Sequence, residues 1–546
     1  MREAELRVRG PGASRSRAAV EPDAEGGRAD ADRAPQTRAG AGQGQAGGRG
    51  VRAVQGLDRA GHGSERGDLR RAPGRAGQLG PGCLSRAGSG KKGLRDALAK
   101  QKAAELARLA GEAARALGCG DAGLEAAEQV IRAGLLRLGG SMLGEALSAD
   151  QGHRGSRVPC GNGHEAVFAG YRDKTFDTVL GPVTVTRAWY HCAGCGHGLA
   201  PRDAELAIAG ASVSPGLAAM NDIAAAAGPF AGAARLLEEL AGVRLTVKRV
   251  ERAAEASGAA VAEAGRERAA LIAARRLVPL PPSPLPDKLY IVIDGTGVPM
   301  TAKETAGRQG KGEDGRARTR EVKLGVFFTQ DKLDKDGYPV RDRDSASVIA
   351  TFEPAATFGT LVRAEGIRRG ADHVRQLTIL GDGAAWIWGI ATGNFPGATQ
   401  IVDLYHAREH LHALTRSLEF MLGDRKQEWL AARLQDLDYG NIDGIEAAVR
   451  TYPLEGVKKD EAEKELGYFL NNAPRMRYHW FRSRGLLTGS GVVEASCKSV
   501  IGQRLKQAGM HWTVNGADAI IALRCREASS TWEAICNTPH TQTRTA

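Results

Sequence analysis

Aromatic side chains are scarce, at 5% of the 546 residues, and none occurs before Phe168. A stretch of that length without Phe, Trp or Tyr lacks the large side chains that dominate a packed core. Long apolar runs are missing too. The longest uncharged stretch, 383–402, is interrupted by Gly389, Gly393, Asn394, Pro396 and Gly397, which excludes a helical membrane span. The first ten residues are charged and no apolar segment follows them, so no signal peptide is expected. Eight cysteines are too few and too scattered for a disulfide scaffold, and a reducing compartment, the cytoplasm, is expected. What the chain has in excess is positive charge: a formal +12 and a pI near 9.4, which favour polyanions and above all nucleic acid as partners.

That charge is unevenly spread. Residues 1–90 carry 16 Arg, no Lys and 10 acidic residues, and Gly, Ala and Arg make up 52 of the 90. Such a segment buries too little apolar surface to offset about 1–2 kcal/mol per residue of backbone ordering. It reads as a disordered basic arm, or as an over-long reading of a GC-rich gene, and offers no site residues.

Beyond it the texture changes several times. Over 91–150, leucines at three-, four- and seven-residue spacings predict two helices, broken by the glycines between Gly118 and Gly123. Residues 158–205 read as a β-hairpin flanked by Cys160-x-x-x-His164 and Cys192-x-x-Cys195. Each pair sits on a tight turn, the layout of a zinc ribbon, with four protein ligands making the ion structural. His153 and His197 are alternatives to His164. Residues 206–280 are helical again, and Phe230–Leu240, a break at Ala241-Gly242 and an N-cap at Thr246 form a helix-turn-helix candidate. Lys248, Arg249 and Arg252 on its second helix are candidate DNA contacts. Four prolines within 281–286 then mark a linker to a last large unit, 287–530, with a flexible tail at 531–546.

In that unit Leu289–Ile293 is a continuous apolar run ending at Asp294-Gly295, and Gln376–Leu380 repeats the pattern before Gly381-Asp382-Gly383. Strand-like runs alternating with helical ones predict an α/β unit. Two strands of one sheet that each end in aspartate bring carboxylates together, as hard Mg²⁺ ions require. Each Asp-Gly alone is equally a turn dipeptide. A third acid, Glu494, follows Ser490 on a helical segment that goes on to Lys498, Arg504 and Lys506.

Asp294-Gly-Thr, Gly-Asp382-Gly-Ala-Ala-Trp386, Asp403-Leu-Tyr-His406, Gly-Ser-Gly-Val-Val-Glu494, Arg504-Leu-Lys506 and Gly509-Met510-His-Trp512 occur in that order. Together they resemble the DDE transposases of bacterial insertion sequences, most closely the Kra-type family, over about residues 100–528. The first zinc knuckle departs from the family pattern, where a second Cys is expected near Asn162 or Gly163. The resemblance implies a multidomain α+β chain. Its catalytic core would be ribonuclease-H-like with an all-helical insertion at about 407–485, preceded by the zinc ribbon and the helical DNA-binding segments. It further implies catalysis by Asp294, Asp382 and Glu494 holding two Mg²⁺ (or Mn²⁺) ions for in-line phosphoryl transfer, with structural Zn²⁺ on Cys160, His164, Cys192 and Cys195. Lys498, Arg504 and Lys506 would meet phosphates, Trp386 and Trp512 would stack on a base, and His406 would line the site. The expected partners are double-stranded DNA, namely the element's own terminal inverted repeats and target DNA, and further copies of the chain. The expected place is the bacterial nucleoid, with no membrane. Two other readings share these residues: an inactive, regulatory DNA-binding derivative, and a ribonuclease-H-like nuclease without strand transfer.

Overall fold

A computed structural model describes residues 92–529, apart from 311, 313 and 336. The basic arm and the C-terminal tail expected from the sequence lie outside the described residues. Among the described residues no helix is long and apolar enough to cross a membrane.

The chain begins with two antiparallel helices, α1 (Lys92–Leu117) and α2 (Gly123–Ser148), separated at the glycines that predicted the break. They pack with Leu109 against Gly134, where a Cβ would collide with the leucine side chain, and Lys102 pairs with Glu145 at 2.5 Å. An antiparallel sheet follows: β1 (Arg157–Pro159), β2 (Glu165–Thr178), β3 (Gly181–Cys192) and β4 (His197–Leu199), in that spatial order. The β2–β3 hairpin turns at Val179-Leu180, with Gly181-Pro182 opening β3. Its two-residue turn is closed by Thr178 Oγ1 donating to Gly181 O at 2.8 Å. The short α3 (Pro201–Glu205) anchors to β3 through Asp203, which takes Arg187 at 2.7 Å and Lys174 at 3.3 Å.

Three helices come next: α4 (Pro215–Ala227), α5 (Phe230–Ala241) and α6 (Val247–Ala273). The predicted turn is present, with Gly242 left-handed at φ +70° and Thr246 Oγ1 accepting from Arg249 N at 3.3 Å. The second helix, however, is a 27-residue spine, longer than a reading head needs. Its Gly258 lies so close to Ala519 that any side chain would strike backbone. Residues from Val213 to Ala254 therefore share one apolar core with residues 289–525, and the proline-rich 281–286 segment joins two parts of that core. The firm domain boundary expected there is not a boundary in packing.

The central sheet has five strands: β5 (Lys288–Pro299), β6 (Thr319–Thr329), β9 (Ser347–Thr351), β10 (Gln376–Gly381) and β11 (Thr399–Val402). Between β5 and β6 lies the single turn α7 (Ala302–Thr305), and between β6 and β9 the tiny β7 (Lys332–Leu333) and β8 (Pro339–Val340) pair. The spatial order is β11-β10-β5-β6-β9, in which β6 alone runs opposite to the other four: it pairs antiparallel with β5 and with β9, while β10 pairs parallel with both β5 and β11. Leu289 to Ile293 are all buried, which explains why the central strand reads as an unbroken apolar run. Helices α8 (Ala355–Arg368) and α9 (Ala385–Asn394) make the crossovers.

After β11 the chain is all helical: α10 (Leu404–Ser417), α11 (Glu419–Leu422), α12 (Lys426–Tyr439), α13 (Ile442–Arg450), α14 (Gly456–Asn472) and α15 (Tyr478–Ser483). These occupy the span expected of a helical insertion. The chain then returns to the sheet as α16 (Gly491–Ser496), a π-helical turn at Cys497–Gly502, α17 (Gln503–Leu505) and α18 (Val514–Ala528). The architecture thus mixes helices with an antiparallel and a mixed sheet, compatible with the multidomain α+β chain expected from the sequence.

Candidate functional site

The register of the sheet aligns its acids. Val292 pairs with Leu380 and Gly381 with Val402, and the strands run parallel. One or two residues further on, Asp294, Asp382 and Asp403 therefore stand level: Asp382 and Asp403 directly follow the carboxyl ends of β10 and β11, and Asp294 lies where β5 runs on past them, paired there with β6 alone. The carboxyl ends of parallel strands are where ligands enter open α/β sheets.

Asp294 is partly buried. Its Oδ1 accepts from Gly295 N at 2.7 Å and its Oδ2 faces the Cys497 thiol at 3.3 Å. Burial pushes its carboxyl up from the ordinary range, and the negative charge of Asp382 adds to that push. A like-charged pair of this kind is what a divalent cation would relieve. Asp382 accepts from Ala384 N at 2.9 Å, and its carbonyl takes the Tyr468 hydroxyl, also at 2.9 Å. Gly383 is left-handed at φ +105°, and a Cβ there would run into the Tyr468 ring. Helix α14 therefore clamps the Asp382 turn, beside a cavity of about 710 Å³ lined by Gly383, Trp388, His410, Tyr468, Asn472 and Arg475. Sequence reasoning passed over Tyr468 and His410. Their only signal was a helical pattern, and the stack of their rings at 3.6 Å depends on how α10 meets α14.

Glu494 lies on α16, one turn before Cys497 and beside β5. Its carboxylate is 3.6 Å from Lys498 Nζ, four residues further along the chain. It is not gathered with the two aspartates. Among the described residues, the group of three or more His, Cys, Asp or Glu side chains drawn close enough to hold an ion is Cys160, His164, Cys192 and Cys195. The Mg²⁺-binding set expected of Asp294, Asp382 and Glu494 is therefore not assembled, and Glu494 stands paired to a lysine.

His406 stands beside the row. It sits one turn into α10, with Nδ1 3.6 Å from Asp403, and that carboxylate raises its pKa to about 9. Lys506 is also well placed: its Nζ donates at 2.6 Å to Thr296, two residues beyond Asp294 on the same strand.

Other expected contacts go elsewhere. Arg504 is buried, donating through Nε to Ala225 O at 2.8 Å at the end of α4 and lying over the rings of Phe230 and Trp512. It caps a helix C-terminus, where carbonyls attract cations, and its inaccessible guanidinium cannot meet a phosphate. Trp512 is buried as well, donating to Leu505 O at 3.0 Å and bridging to Met300, so it offers no face to a base. Trp386 is half-buried, edge-on to Phe358 with Lys323 over its ring. On α6, Arg249 is tied to Asp177 and to Ser212 O, and Lys248 pairs with Glu251 at 2.6 Å. Arg252 is exposed at the rim of another cavity of about 710 Å³.

The second site is the cysteine–histidine cluster at one end of the antiparallel sheet. The four ligand atoms of Cys160, His164, Cys192 and Cys195 lie within 4.8 Å of one another. Cys160 Sγ and Cys195 Sγ are 3.7 Å apart, and His164 Nδ1 is 3.2 Å from Cys195 Sγ. A tetrahedral ion with Zn–S bonds of about 2.3 Å needs sulfurs roughly 3.75 Å apart. The knuckles are set by Cys160 N donating to His164 O and Gly196 N to Cys192 O, each at 2.9 Å. At Gly194 a Cβ would press on the His164 ring, so the glycine makes room for the ligand. His153 instead packs edge-on against Phe168, at 4.8 Å between ring centres. The cluster could hold a metal such as zinc, with His164 as the histidine.

The chain matches no model of a known protein family and no curated protein.

Proposed function

We propose that the protein is a DNA transposase of the DDE type, which binds the terminal inverted repeats of its own element and carries out metal-dependent strand cleavage and transfer. The observation that carries this reading is the level row of Asp294 and Asp382 on adjacent parallel strands, with the Glu494 helix packed beside β5. The strand order β11-β10-β5-β6-β9, antiparallel on one side and parallel on the other, supports a ribonuclease-H-like core.

Asp294 and Asp382 would hold Mg²⁺, and a shift of the Glu494 side chain away from Lys498 would add the third carboxylate. When bound, the ions polarise the phosphodiester and stabilise the attacking and leaving oxygens. The chain's own residues do the rest. Burial of Asp294 keeps water from screening the site, Lys506 offers a positive charge next to Asp294, and the Tyr468 clamp fixes the turn that carries Asp382. The exposed Lys498 is free to move to a phosphate once Glu494 is engaged.

The test is end-specific nicking of labelled DNA carrying the element's flanking ends, in Mg²⁺ or Mn²⁺, by the wild type and by Asp382→Asn. Nicking that vanishes in the variant supports the proposal. Binding to the ends without cleavage by either protein would favour the regulatory DNA-binding reading. Cleavage of the ends without joining to target DNA would favour the nuclease.

A further inference from the structure

The α1–α2 hairpin carries large apolar side chains that nothing in the chain covers among the described residues. Leu124, Ile131, Leu135 and Met142 of α2 and Leu106 and Leu117 of α1 are each between 42% and 65% exposed. On α2 the spacing 7, 4, 7 places the four on one stripe of the helix, the repeat of a coiled-coil seam. The neighbouring faces are occupied: Ala127 and Gly134 are buried on the α1 side, and Gly139 and Gly140 meet Leu180 of the hairpin. Helix geometry turns Leu106 and Leu117 to the same side of the α1–α2 contact as the stripe.

The stripe is also symmetric about the level of Ala133. Leu124 and Met142 stand nine positions either side of it, and Ile131 and Leu135 two positions either side. An antiparallel copy of the same helix therefore sets Leu124 against Met142 and Ile131 against Leu135, twice over. That self-complementarity is the condition for a closed two-fold interface. The six side chains expose on the order of 500 Å² of apolar surface per copy, the upper end of what a monomer ordinarily shows. With the usual polar rim, two such faces come to roughly 1,600 Å², the size of a stable interface.

We infer that this face is a homodimer interface, in which α2 packs antiparallel on α2 of a second copy of the chain. It does not depend on the catalytic reading.

The experiment is sedimentation of the full chain at tens of micromolar, with circular dichroism to confirm folding. The wild type should be a dimer. Ile131→Glu and Leu135→Lys alone, both at exposed positions, should each be folded monomers. The double variant Ile131→Glu/Leu135→Lys should dimerise again, because antiparallel pairing sets the new carboxylate of each copy beside the new ammonium of the other. A monomeric wild type, or a dimer that survives Ile131→Glu, would overturn the inference. So would two monomeric single variants whose combination stays monomeric, since a parallel pairing would not be rescued this way.

Discussion

The backbone N–H of Ser490 donates to Oδ2 of Asp403 across 87 residues of sequence. Asp403 stands at the end of β11 and Ser490 opens the helix of Glu494, so one buried carboxylate ties the sheet to the element bearing the third acid. Its other oxygen, Oδ1, accepts from His406 N at 2.8 Å and caps α10. Leu404 N donating to Thr488 O at 2.9 Å reinforces the junction.

Removing that carboxylate should loosen the Glu494 helix. Asp403→Ala leaves buried N–H groups without acceptors, which costs about 1–3 kcal/mol for each group stranded. Thermal unfolding should fall accordingly, and hydrogen exchange over residues 488–496 should quicken more than elsewhere. Asp403→Asn, which keeps an acceptor oxygen, should lose less on both counts. Burial pushes the Asp403 carboxyl up, but the hydrogen bonds from His406 and Ser490 outweigh it and hold it below the ordinary value. A depressed folded pKa means this contribution is present above about pH 4 and is lost as the pH falls further. Equal exchange in the wild type and Asp403→Ala would refute the clamp.

The pair has an alkaline counterpart in His406. Its pKa is raised from 6.5 to about 9, first by Asp403 and then, against the pull of burial, by further carboxylates including Asp382. For a raised folded pKa the sign reverses. The stabilisation is complete below about pH 6.5 and drains away as the pH climbs through 9. Stability of the wild type should therefore decline over that window more steeply than that of His406→Gln, read by denaturant midpoints at several pH values. Parallel pH profiles of the two proteins would show that the imidazole is not held by Asp403.

Arg504 separates a structural from a DNA-contact role. Its guanidinium packs against the rings of Phe230 and Trp512 and donates to the end of α4, and burial lowers its pKa to about 10. Arg504→Ala should empty that slot and uncap the helix, at a cost of roughly 2–4 kcal/mol. Lys506→Ala, on the surface, should leave stability within about 0.5 kcal/mol and instead reduce the salt dependence of DNA binding by about one counterion. A lowered salt slope with unchanged melting in Arg504→Ala would return that residue to the phosphate contacts.

Much of this was legible in the chain. The apolar runs of β5 and β10, each ending in aspartate, are visible because these central strands are buried on both faces, and the helix break at Gly118–Gly123 is visible because glycine punctuates locally. Asp403 repeats the same device at the end of a third strand, yet its partner Ser490 lies 87 residues away, and no local pattern reports such a contact. Arg504 misled for a related reason. A motif of alternating basic residues looks like a phosphate grip until packing turns one inward and leaves Lys506 outside. The spine role of α6 was equally hidden, since its partner α18 is the last helix described.

The cluster of Cys160, His164, Cys192 and Cys195 yields the sharpest compositional prediction. Three thiols and an imidazole fit a tetrahedral ion, so the purified protein should carry about one zinc per chain by elemental analysis. Cys192→Ser should lose it, because that sulfur is fully buried at the end of β3 and no other ligand reaches its place. His164→Cys should retain it, since a four-thiolate set is as good a zinc site. A core of only Val158, Ala166, Ala188, Tyr190 and Cys192 holds this end of the sheet, too small to stand without the ion. Chelation should therefore expose residues 157–199 to proteolysis first, while the β5-centred core keeps its melting transition. Stoichiometric zinc that survives Cys192→Ser, or a hairpin equally resistant with and without chelator, would show that the cluster is two cysteine turns brought together by folding alone.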